Sequence, residues 1–161
     1  MRQFVTPGLL WCSAIGCGVM AGVYFAFSAF IMTALAHAGP GPGMAAMKAI
    51  DVEIVKSLFM PLFLGTTLTS AALAVIACFR LGEPGALAML AGGVLYVLGM
   101  FIATSVFNVP LNDALAAADP SSAEGVAFWT RYLSDWTLWN HVRTGASLAA
   151  TVLFTMALAS R

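Results

Sequence analysis

The chain has 161 residues, of which 61% are hydrophobic and only 9% charged. A soluble domain carries roughly 25% charged residues, and a soluble chain this short lacks the interior to bury so much apolar surface, so lipid is the expected solvent. The formal net charge is zero, which supplies no electrostatic pull toward nucleic acid or anionic lipid.

Charges mark the expected boundaries. None occurs between Arg2 and Lys48, Lys56 and Arg80, Glu83 and Asp113, or Arg143 and Arg161. A spanning helix needs about 20 apolar residues, and a charge at the bilayer centre costs about 2.5–3.5 kcal/mol on insertion scales. The pattern predicts spans near 9–36, 57–79, 86–107 and 142–160. The whole chain, 1–161, is then one transmembrane domain. Its fold class is all-α: a four-helix transmembrane bundle with two short amphipathic helices on one membrane face.

The first span carries Ala14, Gly18, Gly22 and Ala26 at every fourth position. Such a stripe lets a neighbouring backbone approach closely; the neighbour is either another span of this chain or a second copy, so a homo-oligomer stays open. Ala36-His37-Ala38 mimics a cleavage site, but the apolar run before it far exceeds the roughly 7–15 residues of a signal core, so a retained helix is expected. Tyr24, Phe25, Phe27 and Phe30, with Ser28 among them, are either ordinary packing or the wall of an aromatic pocket. Cys12, Cys17 and Cys78 read as small apolar groups rather than disulfide or metal partners.

Gly39-Pro40-Gly41-Pro42-Gly43 is expected to break the helix. In 44–56, Met47, Ile50 and Ile54 recur at helical spacing while Lys48, Asp51 and Glu53 read as mostly solvated. This is a short amphipathic helix lying on the membrane or capping the bundle. The second span places Pro61 near its start, where a missing donor is tolerated, and Thr66, Ser70 and Ala74 on one small-residue stripe. Arg80-Leu81-Gly82-Glu83-Pro84-Gly85 is a tight connector. The third span offers Ala88, Gly92, Gly99 and Ala103 for close packing, and Tyr96 as a ring with a polar tip that needs a partner when buried.

From Asn108 to Asn140 runs a long polar connection. Asp119-Pro120-Ser121-Ser122 has a helix-start signature, with Glu124 in the first turn. Phe128, Trp129, Tyr132, Leu133, Trp136 and Trp139 then recur at helical spacing. This second amphipathic helix is either an interfacial anchor or a lid, hinged to the fourth span near Trp136–Arg143. Short basic connectors favour both termini in the cytoplasm, in a multi-pass protein of a bacterial inner membrane. The two polar clusters, Phe107–Asp113 and Trp136–Arg143, face the same side in either orientation.

Those clusters are the chemistry-bearing part. Asn108 and Asn112 are one helical turn apart and either cap the third span or hydrogen-bond a ligand oxygen. Trp136, Asn140 and Arg143 share one helix face by spacing. His141 is the natural general base, since its ordinary pKa lies nearest neutrality; its alternative is a structural cap. Arg143 is a permanent forked cation suited to an oxyanion, or else reaches lipid headgroups. No recurring ligand spacing argues for a metal. A haem on His141 as single axial ligand stays open, although no attachment motif points to it.

Phe107-Asn108-Val109-Pro110-Leu111-Asn112 together with Trp136-Thr137-Leu138-Trp139-Asn140-His141-Val142-Arg143 resembles the signature of the anthrone-oxygenase-like family of small membrane proteins. The glycine- and aromatic-rich stretch Gly18–Phe30 is similar too. The resemblance implies oxidation of an anthrone, or a related lipophilic phenolic ring system, by molecular oxygen without metal or flavin. It implies His141 as base, Arg143, Asn108 and Asn112 as holders of the oxyanion, and Trp136 and Trp139 stacked on a flat substrate entering from the bilayer. Asn140, Tyr24 and Tyr96 would complete the binding surface. A non-enzymatic protein that binds or moves a lipophilic molecule, or serves as a membrane-complex subunit, is the alternative.

Overall fold

The computed structural model describes the backbone of residues 2–160 and side chains from residue 5 onward. Arg161 and the side chain of Arg2, two of the basic markers of the termini, lie outside the described residues. Helix α1 (Arg2–Ala26) continues through a π-helical segment, Phe27–Ile31, into α2 (Met32–His37). A turn leads to α3 (Pro40–Ile54), then α4 (Phe59–Cys78) and α5 (Ala86–Tyr96). Two further π segments, Val97–Ile102 and Thr104–Asn108, join α5 to α6 (Val109–Ala117), and α7 (Ala123–Ala159) completes the chain.

The four expected spans are present as four apolar rods, Val5–His37, Phe59–Cys78, Ala86–Ala117 and Ala123–Ala159. Their outward faces carry Ile15, Leu68, Leu87 and Leu148, each well exposed. Side chains of that kind in such density are covered by lipid, so this is an integral membrane protein.

Three rods outrun the bilayer. The 37 residues of α7 rise about 55 Å against a hydrocarbon core of about 30 Å. The expected hinge near Trp136–Arg143 is absent. The aromatic helix is the first part of α7 itself, because the sequence offers no proline after the Ser122 cap, whose hydroxyl accepts from the Gly125 N–H at 3.0 Å. The third rod likewise runs on past residue 107 to Ala117. Pro110 does not stop it; Pro110 lies in the first turn of α6, directly after the π segment Thr104–Asn108. A loosened i→i+5 turn leaves room for the ring and the missing donor.

The break after the first rod is narrower than Gly39–Gly43 suggests. Only Gly39, at φ 85°, leaves the helical region, and Pro40 already begins α3. Its missing N–H is one of the donors a first turn leaves without a partner.

Two cores result. In the bundle, Leu10, Cys17, Met20, Leu73, Met89, Tyr96 and Phe154 pack together. Close contacts between rods are made partly by other glycines than the expected stripes: a Cβ at Gly16 would strike Thr66, one at Gly93 would meet Ser70 and Ala74, and one at Gly99 would meet Ala146, whereas Gly18 has only Thr151, at 3.7 Å, and Gly22 has nothing within 4 Å. Beyond the bundle, Met32, Met44, Met47, Leu115, Trp129, Tyr132 and Trp136 form a head where α3 lies across α6 and the start of α7. Lys48 fastens α3 there by donating to the Ala118 carbonyl at 2.8 Å.

Candidate functional site

Between bundle and head lies a cavity of about 210 Å³. A single water needs only about 10–15 Å³, so the space suits an organic molecule. Val23 and Phe27 of the first rod, Met47, Ile50 and Ile54 of α3, and Phe59, Met60 and Phe63 of α4 supply its apolar walls. Thr104 and Ser105 come from a π segment, and Asn112, Trp136 and Arg143 from α6 and α7. Exposed Val55, Ser105 and Val109 lie at its rim.

Arg143 is its dominant charge. The side chain is 4% exposed. Its guanidinium lies 4.4 Å from the centroid of the Tyr24 ring and 4.8 Å from that of Trp136, close enough for both π faces to attract it. Nη2 donates to Asn140 Oδ1 at 2.7 Å. Asn140 in turn donates to the Tyr24 carbonyl and to Ser28 Oγ, each at 2.7 Å. The asparagine therefore ties α7 to the first rod and fixes the arginine between the rings. Nε has no hydrogen-bond partner, and Arg143 enters no ion pair among the described residues. A buried, uncompensated cation is costly unless an anion meets it.

A second polar group stands on the α3 side. Asn112 Oδ1 accepts from Tyr132 Oη at 2.9 Å and from Trp136 Nε1 at 3.0 Å. That fixes the amide, whose nitrogen donates to Asp51 Oδ1 at 2.7 Å. Burial raises the Asp51 carboxyl above its ordinary value, while the Asn112 bond lowers it and nearby Asp113 adds a smaller upward push.

Of the residues the sequence singles out, Tyr24, Asn112, Trp136 and Arg143 line the cavity, and Asn140 holds Arg143 from behind. The others lie elsewhere. His141 is exposed in an outer groove with Ser28, Met32, Thr33 and Thr137, since one residue beyond Asn140 turns the side chain about 100° around the helix. Trp139 stacks on Phe107 at 3.4 Å between centroids, with planes 3° apart. Asn108 is buried and donates to the Trp136 carbonyl at 3.2 Å, joining the third rod to α7, while its Oδ1 is unpartnered. Tyr96 lies deeper in the bundle core, its hydroxyl also without a partner.

Reading the acids of α3 as solvated misses Asp51. It lies four residues after Met47 and three before Ile54, so it shares their face. A carboxylate interrupting an apolar stripe was the available signal.

Residues 54–153 match the family model described as anthrone oxygenase, well over half of the chain. The chain belongs to the anthrone oxygenase family. No match is found among curated proteins or among solved structures. The family match covers Asn112, Trp136, Asn140 and Arg143, whereas Tyr24 and Asp51 lie outside it. In this anthrone oxygenase family member, residues inside and outside the matched region share one cavity.

Proposed function

We propose that this protein oxidises a lipophilic, flat phenolic or polycyclic aromatic compound with molecular oxygen as the only oxidant, in the inner membrane of a bacterium with both termini in the cytoplasm. The observation that carries the reading is the buried Arg143 guanidinium, in no ion pair among the described residues, beside an apolar aromatic cavity. Phe27, Phe59, Phe63 and Trp136 offer ring surfaces to a flat molecule. Arg143 offers charge to an oxygen on which negative charge develops. An anthrone fits that description: loss of one ring C–H proton gives an enolate whose charge sits on the carbonyl oxygen.

The electron-rich carbon gives one electron to oxygen, and the resulting radical and superoxide combine to a peroxide anion. Protonation gives a hydroperoxide, which loses water to leave the second carbonyl. One anthrone and one dioxygen yield one anthraquinone and one water. The protein's part is to bind, orient and stabilise charge.

The test is conversion of anthrone to anthraquinone by the purified full-length chain, with oxygen consumption followed in parallel. One oxygen consumed per quinone formed, above the rate of protein-free buffer, is the expected result. Binding of anthrone with no turnover would make the protein a carrier instead. A Soret band in the purified protein would replace the cofactor-free reading with a haem one.

A further inference from the structure

We propose that Asp51 is the proton acceptor of the cavity, acting opposite Arg143 on a ligand whose C–H or phenolic O–H is acidic because its conjugate base is a ring-delocalised enolate or phenolate. This rests on the cavity being the substrate site.

The assignment follows from what each polar group can do. Asp51 supplies the only carboxylate among the described lining residues. Its Oδ1 is held by Asn112, and no protein hydrogen bond among the described residues goes to Oδ2, which is left to meet a ligand. The Asn112 amide cannot turn away, because Tyr132 and Trp136 both donate to its oxygen; Asn112 is thus a positioning residue for Asp51. The other candidates are occupied or misplaced. The Tyr24 hydroxyl is directed to Met100 Sδ at 3.4 Å, and His141 faces the outer groove.

The step balances within the cavity. The substrate C–H or O–H bond breaks and an O–H bond forms on Asp51. The electron pair left behind moves through the ring to the carbonyl or phenolic oxygen, on the side of the cavity that Arg143 lines. One negative charge passes from Asp51 to the ligand, so the cavity keeps its net charge while the anion gains a buried cationic neighbour. When dioxygen has added, the same carboxyl returns its proton to the peroxide.

The experiment uses the full chain in detergent with anthrone as probe. Under nitrogen, wild-type protein is expected to show the absorbance of the anthrone enolate at a pH where free anthrone stays neutral. Asp51→Asn, which can still accept from Asn112, is expected to bind anthrone within about threefold of wild type by tryptophan quenching. It should show no enolate band and turn over about 100-fold slower or worse, the usual scale of a lost general base. Asp51→Glu should restore part of the band. A retained enolate band in Asp51→Asn, or a rate within threefold of wild type, overturns the proposal. So does loss of binding in a variant of unchanged Tm, which would make Asp51 a binding group. Failure of the wild type to bind anthrone would overturn the reading of the cavity itself, a result distinct from binding without ionisation.

Discussion

The Asn140 side chain donates to the Tyr24 backbone carbonyl at 2.7 Å across 116 positions of sequence, just before the first rod enters its π segment. The same amide supports Arg143 from the other side, so one residue joins helix packing to the placement of the buried cation. Asn140→Leu fills similar space but leaves Ser28 and Arg143 Nη2 without this partner. Each unsatisfied buried group costs about 1–3 kcal/mol, so a lower Tm in detergent is expected. Asn140→Asp keeps the acceptor for Arg143, loses the donors, and adds a counter-charge that competes with any anionic ligand. It should retain more stability than Asn140→Leu yet bind anthrone more weakly. Equal Tm for all three proteins would contradict the tie between α7 and the first rod.

Arg143 separates charge from shape. Arg143→Lys keeps the cation but loses the planar group held between Tyr24 and Trp136, and with it the fork that reaches Asn140 and the cavity together. Removing a single preorganised donor to a developing oxyanion typically costs about 10²–10³ in kcat. That range is expected for Arg143→Lys, with KM changed far less. Arg143→Met removes the charge and should abolish turnover while raising Tm, because a buried cation with no ion pair among the described residues is gone. A destabilised Arg143→Met would show that the cation already has compensation within the folded chain.

These residues also show what periodicity can and cannot disclose. Trp136, Asn140 and Arg143 fall on one face because spacings of four and three return to the same side of a helix, and all three are buried. The rods were legible from the charge-free runs. Their ends were not: charges mark where lipid stops, whereas α7 begins at Ala123 because nothing between there and Ala159 breaks it. The π segments that contribute Phe27, Thr104 and Ser105 to the cavity have no simple periodic signature in the sequence. Asp51 was obscured by its neighbours Lys48 and Glu53, which make α3 look evenly solvated outside. His141 drew attention as a titratable group near neutrality, but chemistry without direction does not place a side chain in a site.

Orientation can be read from two exposed turns at opposite ends of the bundle. Gly82 lies in the connector between α4 and α5, and Ser121 in the turn before α7; both are exposed. With the native cysteines replaced by alanine, Ser121→Cys should react with a membrane-impermeant maleimide on spheroplasts. Gly82→Cys should react only after the membrane is permeabilised. The reverse pattern would put the termini and the basic Arg80 connector outside, against the usual bias of Lys and Arg toward the cytoplasm, and would place the head in the cytoplasm.

The pH response of Asp51 has opposite signs for activity and stability. Burial raises its carboxyl, against the pull of Asn112 and with a smaller push from Asp113. Asn112 and Asp113 act on it from α6 and Tyr132 from α7, Arg143 and Tyr24 line the same cavity, and Lys48 on its own helix is engaged at Ala118. A base must be ionised, so kcat/KM should rise with pH along a limb lying above about 3.9, the ordinary aspartate value. Stability runs the other way. A carboxyl raised on folding binds its proton more tightly in the folded state, so its contribution is complete below the unfolded value and is lost as pH rises through the folded one. The Tm of wild type minus that of Asp51→Asn should therefore become more negative across the same interval in which wild-type activity climbs. A wild-type activity profile already flat at about pH 4 would contradict both the raised carboxyl and its part in the proton transfer.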